Sequence, residues 1–260
     1  MEQIRKTNHV VYRSANGQIV DIYYMREPGW RHHNFGLKNS APPAAGRPTA
    51  FVDSVDNSQN LVYRGQDGNI HVLCFIRSEG WKIKNLNAMT GAPVATGDPS
   101  CYTYHVFNTQ HVIYGSMDGH LHQLYYPHGK EWRHADMTAA NGAPPIAGTP
   151  TTFVDMVNNS QNIVYRGQDG HIHDFYFIRD QGWTHTNLSQ LLGTPLAAGD
   201  PFAYTFDLFK TQHVVYRGQD GNLYQLYIPP GKEWRQSNLT VDTSAPSAAS
   251  DPVCYTYDLK

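Results

Sequence analysis

The sequence predicts an all-β fold, a five-bladed β-propeller of four-stranded antiparallel blades, on three observations. Trp30, Trp81, Trp132, Trp183 and Trp234 are the only tryptophans, and each lies 51 residues after the one before. Aligned on that period, every unit carries four short β-rich segments with a tight-turn dipeptide between the second and the third. The two ends of the chain supply complementary pieces of a single unit.

The unit whose last segment ends at Leu239 shows each element. PFAYTF, QHVVYR, NLYQLY and WRQSNL are rich in β-branched and aromatic residues and bounded by glycine, proline or asparagine, so each reads as a strand. The second and third are joined by Gly-Gln-Asp-Gly at 65–68, 167–170 and 218–221, and Asn16-Gly17 and Asp118-Gly119 keep the turn pair in the other copies. Such a pair supplies the positive φ that a tight hairpin needs. Runs such as NSAPPAAG (39–46) and NGAPPIAG (141–148) connect one unit to the next; proline and small residues predict an ordered loop of polyproline character. No stretch has a 3.6-residue apolar period, so no helix is expected.

Four strands at a period near 50 describe a propeller blade, and five units fill residues 1–260 as one domain. Residues 251–260, DPVCYTYDLK, match the first strand of a unit, and TNHVVYR at 7–13 matches the second strand TQHVVYR at 211–217. The ring is therefore expected to close by pairing the C-terminal strand with the N-terminal strands, which removes two sheet edges. A longer period lies over the first. Phe51-Val52-Asp53 and Phe153-Val154-Asp155 go with Asn60 and Asn162, whereas Tyr102-Thr103-Tyr104, Tyr204-Thr205-Phe206 and Tyr255-Thr256-Tyr257 go with His111, His213 and His9. Two blade types alternate, and a ring of five must join like to like once.

A net charge of −2 without a Lys/Arg block argues against nucleic acid as a partner, and no apolar run is long enough to insert in a membrane as a helix. The amino-terminal residues lack the apolar core of a secretory signal, so the expected location is cytoplasmic or released without a conventional signal. Three cysteines, Cys74, Cys101 and Cys254, are too few for a disulfide framework and read as buried thiols. Oligomeric state stays open.

The repetition argues against an enzyme, because no acid, base or nucleophile stands apart from its four counterparts. No phosphate loop, nucleophile elbow or paired-cysteine metal motif is present, and no cofactor is expected. His120 with His122, and His171 with His173, have the i, i+2 spacing of a strand chelate. Val20 and Tyr224 at the same repeat position as His122 favour a structural role, so no metal is expected.

The candidate ligand-binding residues are those that recur. Tyr12, Tyr63, Tyr165 and Tyr216 (Tyr114 in the third unit) precede Arg13, Arg64, Arg166 and Arg217, with Gly115 replacing the arginine. The tyrosines fit packing between blades as well as ligand contact. A guanidinium beside a hairpin can tie blades together or donate paired hydrogen bonds to ligand oxygens. Each tryptophan opens an outermost strand as either anchor or stacking platform. Sugar recognition needs an aromatic face beside planar polar groups, and repeated weak sites gain strength by multivalency.

With five aromatic-rich blades and one tryptophan in each, the chain resembles the β-propeller lectins, in blade number the five-bladed tachylectin-2 group and in general plan the fungal and bacterial fucose-binding propellers. The resemblance implies a multivalent carbohydrate-binding protein with glycan partners held between adjacent blades. The arginines would bond hydroxyls and the tryptophans stack, the site of the third unit being weak for want of its arginine. The alternatives are a protein-interaction scaffold, or an amplified repeat without a selected ligand.

Overall fold

The computed structural model describes residues 7–27 and 29–256. The first sheet contains β1 (Asn8–Arg13), β2 (Ile19–Met25) and β3 (Gly29–Asn34). The second contains β4 (Thr49–Asp53), β5 (Ser58–Arg64), β6 (Ile70–Ile76) and β7 (Gly80–Asn85), and the third β8 (Ser100–Tyr104), β9 (Thr109–Gly115), β10 (Leu121–Pro127) and β11 (Arg133–Asp136). The fourth contains β12 (Thr151–Asp155), β13 (Ser160–Arg166), β14 (Ile172–Ile178) and β15 (Gly182–Asn187), and the fifth β16 (Phe202–Phe206), β17 (Thr211–Arg217), β18 (Leu223–Ile228) and β19 (Arg235–Asn238). Every sheet is an antiparallel meander whose strands pair in sequence order, three in the first and four in each of the others. These are the five blades.

β4, β8, β12 and β16 lie side by side in that order, so the first strand of each unit is innermost. In the second blade the second and third strands are buried on both faces, which is why SQNLVYR and IHVLCFI carry long apolar runs instead of strict alternation. The core is divided among the blade interfaces. Val62, Ile70 and Leu86 of the second blade pack on Val112, Leu124 and Trp132 of the third, and equivalent clusters join blades one to two, three to four and four to five. Each is closed from the outside by the tryptophan of the later blade.

Each connection differs from the sequence expectation in its first turn. A five-residue helix follows every outer strand: α1 (Phe35–Asn39), α2 (Leu86–Thr90), α3 (Met137–Asn141), α4 (Leu188–Leu192) and α5 (Leu239–Thr243). One turn is too short to show a helical period, but the N-caps Asn34, Asn85, Asp136, Asn187 and Asn238 mark it, each side chain accepting the N–H three residues on. The proline-rich remainder is ordered by backbone bonds to two hairpins. Ile146 N–H donates to Gly119 O in its own blade, while Ala147 N–H donates to Arg166 O and Gln168 N–H to Pro145 O across the next interface.

The first sheet has three strands where four are expected. Residues 251–256 are in no strand, and Tyr257–Lys260 fall outside the described residues. Asp251 is nonetheless seated on the fifth blade, its carboxylate accepting Asp200 N–H at 3.2 Å and lying 3.7 Å from Arg217. Residues 251–256 thus start from the place that Asp98 and Asp200 give to the strands after them. The first blade shows the uncovered side: Trp30 is 59% exposed, against 7% for Trp132, which has a preceding blade to pack on.

Candidate functional site

The recurring tyrosines are interior residues. Tyr63, Tyr114, Tyr165 and Tyr216 are fully buried, and their hydroxyls donate to Pro42, Pro93, Pro144 and Pro195 carbonyls in the loop arriving from the preceding blade, at 2.8–3.1 Å. This corrects the expectation of Tyr63, Tyr165 and Tyr216 as ligand contacts: with ring and hydroxyl both used inside an interface, nothing remains for a ligand. Tyr12, with no described loop arriving before it, is partly exposed.

Arg64, Arg166 and Arg217 point to a carboxylate 34 residues on, Asp98, Asp200 and Asp251, at 3.6–3.7 Å. The same carboxylates take backbone N–H groups: Arg47 donates to Asp98 and Thr149 to Asp200. Where Gly115 removes the arginine, Thr149 stands in place of the aspartate, so pair and partner vanish together. In the first unit Arg47 stands in place of the aspartate 34 residues after Arg13, and two cations cannot form such a pair. Within a blade the arginine and tryptophan do not meet. Arg64 sits opposite Ile70 at the hairpin, and Trp81 opposite Phe75, five residues along, or about 17 Å. A single site made of both is not what the register builds.

The tryptophans are unequal. Trp132 is buried against Tyr126, whereas Trp81, Trp183 and Trp234 are half-buried at their interfaces. Trp81 lies edge-on to Phe35 of the first blade at 4.6 Å, and Trp183 packs on Phe177 at 5.4 Å. Trp132 is therefore a packing anchor, in the same unit that lacks the arginine.

Sequence reasoning missed the residues that sit beside Trp183. A cleft of about 480 Å³ between the third and fourth blades is lined by Trp183, Phe177 and Phe107 on its aromatic side and by Thr109, His111, Gln123, Asp136 and Gln161 on its polar side. Thr109 and His111 face the cleft from β9, and Gln123 from the adjacent β10. Gln123 Nε2 donates to His111 Nδ1 at 2.9 Å, which leaves the ring proton on Nε2, 2.7 Å from Thr109 Oγ1. Burial drives the His111 pKa down to about 3, so the ring is neutral and this polarity is fixed. The Tyr102 ring stacks on His111 at 4.6 Å, and its hydroxyl donates to Gln161 across the interface at 2.8 Å.

The alternating blade types take their meaning here. The third and fifth blades carry the ladder Thr-His-Gln, Thr211, His213 and Gln225 repeating Thr109, His111 and Gln123. The second and fourth carry Ser58 with Asn60 and Ser160 with Asn162 instead. Asp53 and Asp155, the aspartates of the Phe-Val-Asp strands, accept from Gln110 and Gln212 of the following blade at 2.7 and 2.8 Å. Interfaces two-to-three and four-to-five are thus bolted by Gln–Asp, and three-to-four by Tyr–Gln. The signal was present in the sequence as the alternation, but not its partners.

No protein-family model and no curated protein sequence matches the chain. Among solved structures, a lectin from Burkholderia pseudomallei superposes with a TM-score of 0.62 at 13% identity, over 88% of this chain and 65% of that one. The chain shares the propeller fold of these lectins. The SapL1 lectin in complex with α-methyl fucoside gives a TM-score of 0.56 at 14% identity, over 89% of this chain and 76% of that one. The Aleuria aurantia lectin in complex with Fucα1-6GlcNAc gives 0.52 at 11% identity, over 91% and 78%. The chain spans less than two thirds of the Burkholderia lectin and more than three quarters of the other two.

Proposed function

We propose that the protein is a multivalent lectin, binding carbohydrate in the clefts between blades, and that its ligands carry α-linked fucose. The observation that carries this reading is the cleft between the third and fourth blades. There the indole of Trp183 stands beside a polar ladder whose donors and acceptors are set in advance by a neutral His111. An apolar face with a few fixed polar groups is what a small ring bearing vicinal hydroxyls requires. The propeller lectins that share the fold were solved with α-methyl fucoside and with Fucα1-6GlcNAc, which directs the choice of sugar.

Trp81 and Trp234 are the corresponding platforms at the interfaces one-to-two and four-to-five, and the buried Trp132 leaves two-to-three without one. Several related weak sites on one ring give avidity for a glycan-bearing surface. Arg64, Arg166 and Arg217 enter this reading as braces between hairpin and loop instead of sugar ligands. A glycan array is the test: binding concentrated on fucosylated structures supports the reading, and an empty array at high protein concentration contradicts it.

A further inference from the structure

Besides lacking the arginine, the third blade departs from its siblings in a cluster of histidines and carboxylates at its hairpin. Asp118 and His120 in the β9–β10 hairpin, His122 near the start of β10 and Asp136 at the end of β11 each offer one donor atom, and these four atoms lie within 4.8 Å of one another. Around a tetrahedral ion with bonds of about 2.1 Å the donors stand about 3.4 Å apart, so small side-chain adjustments suffice. His122 is only 2% exposed, with Nε2 directed at Asp118 and Nδ1 2.8 Å from His134; His120 Nδ1 is 2.6 Å from Asp136 Oδ2.

Part of this cluster is common structure. Every hairpin aspartate receives a backbone N–H two residues on, and Asp67 with His71 and Asp169 with His173 repeat the Asp118–His122 contact. What is peculiar to the third blade is Asp136, since the other blades carry asparagine at that N-cap. Asp136 Oδ1 still caps the helix, accepting Ala139 N–H, so Oδ2 is left as an acceptor. The asparagines present an NH₂ there, which donates to Gln18 in the first blade and Tyr224 in the fifth and cannot ligate a cation. In the fourth blade Asp169, His171 and His173 are all present opposite Asn187, and His171 Nδ1 is left buried without a partner.

We propose that Asp118, His120, His122 and Asp136 form a binding site for one divalent transition-metal ion of the zinc class. Two imidazoles and two carboxylates are borderline N and O ligands, which suit Zn²⁺ over the all-oxygen preferences of Ca²⁺ or Mg²⁺. This departs from the sequence expectation of no metal. Asp136 also lines the cleft assigned to sugar, but all four ligands are side chains of the protein, so the metal is titrated without sugar and its outcome is read separately from glycan binding.

The repeats provide the variants. Asp136→Asn installs the residue of the other four blades, and Asn187→Asp gives the fourth blade the residue of the third; both keep a good N-cap. Chelator-treated full-length protein is titrated with Zn²⁺ against a chromogenic chelator, without sugar, with circular dichroism checking the fold. One high-affinity equivalent is expected for the parent, at least about tenfold weaker binding for Asp136→Asn, and a second equivalent for Asn187→Asp. Equal binding by parent and Asp136→Asn, or no high-affinity equivalent in the folded parent, overturns the proposal.

Discussion

Arg166 Nη2 lies 3.7 Å from Asp200 Oδ1, and through this pair the hairpin of the fourth blade holds the loop that enters the fifth. Asp200 also takes the Thr149 N–H, and a Cβ at Gly148 would fall 2.0 Å from its Oδ1, so the carboxylate occupies space that only a glycine leaves open. Asp200→Ala is expected to cost about 1–2 kcal/mol, mostly through the unpaired backbone donor, because the ion pair itself is partly exposed. Thermal or urea unfolding checks this. Glycan affinity should be unchanged; lost affinity with unchanged stability would return the arginine to the binding site.

Tyr165→Phe keeps the buried ring and removes only the bond to Pro144 O. A loss of about 1 kcal/mol in unfolding free energy is expected, with glycan binding intact. A variant of unchanged stability that no longer binds glycan would show that the hydroxyl serves a ligand.

Asp174 on β14 is buried with Oδ1 unpartnered, and burial raises its pKa to about 7. Val72, Gln123 and Gln225 hold the same repeat position without a charge, and Asp21 there has His9 as its partner at 2.9 Å. Between about pH 4 and 7 the folded protein keeps a proton that the unfolded chain releases, so stability falls as pH rises through that window and levels off above it. The total is on the order of 4 kcal/mol at most. Asp174→Asn should be close to neutral at pH 4 and raise Tm clearly at pH 8. A Tm difference that does not grow with pH would contradict the assignment.

Deleting residues 251–260 tests the closing strand. Asp251 is seated on the fifth blade and the first blade has an uncovered face, and on these two observations we propose that the segment closes the ring between them. The truncated protein is expected to lose several degrees of Tm or to self-associate through the edge of β1. A truncated monomer with unchanged Tm would remove the segment from the ring.

The blade count and hairpin positions were legible because period, turn chemistry and strand propensity agree in every copy. The α1–α5 turns were not, since five residues leave no period, although the asparagine before each was visible. Site residues were harder. Invariance singled out Tyr63, Tyr165 and Tyr216, yet in a repeat protein invariance reports the shared interface, where their hydroxyls are consumed by proline carbonyls. The more informative positions are those that vary: Gly115 with Thr149, and Asp136 among asparagines. Contacts across 50 residues, such as Gln110 to Asp53, exist only once blades are packed.

The central claim is that the cleft beside Trp183 binds fucose-bearing glycans. Isothermal titration with α-methyl fucoside, comparing the parent with Trp183→Ala and with Trp132→Phe as a packing control, tests it most directly. The parent should bind, Trp183→Ala should lose the signal of that cleft while remaining folded, and Trp132→Phe should bind as the parent does. No heat of binding in the folded parent, or binding unaltered by Trp183→Ala, would contradict the claim.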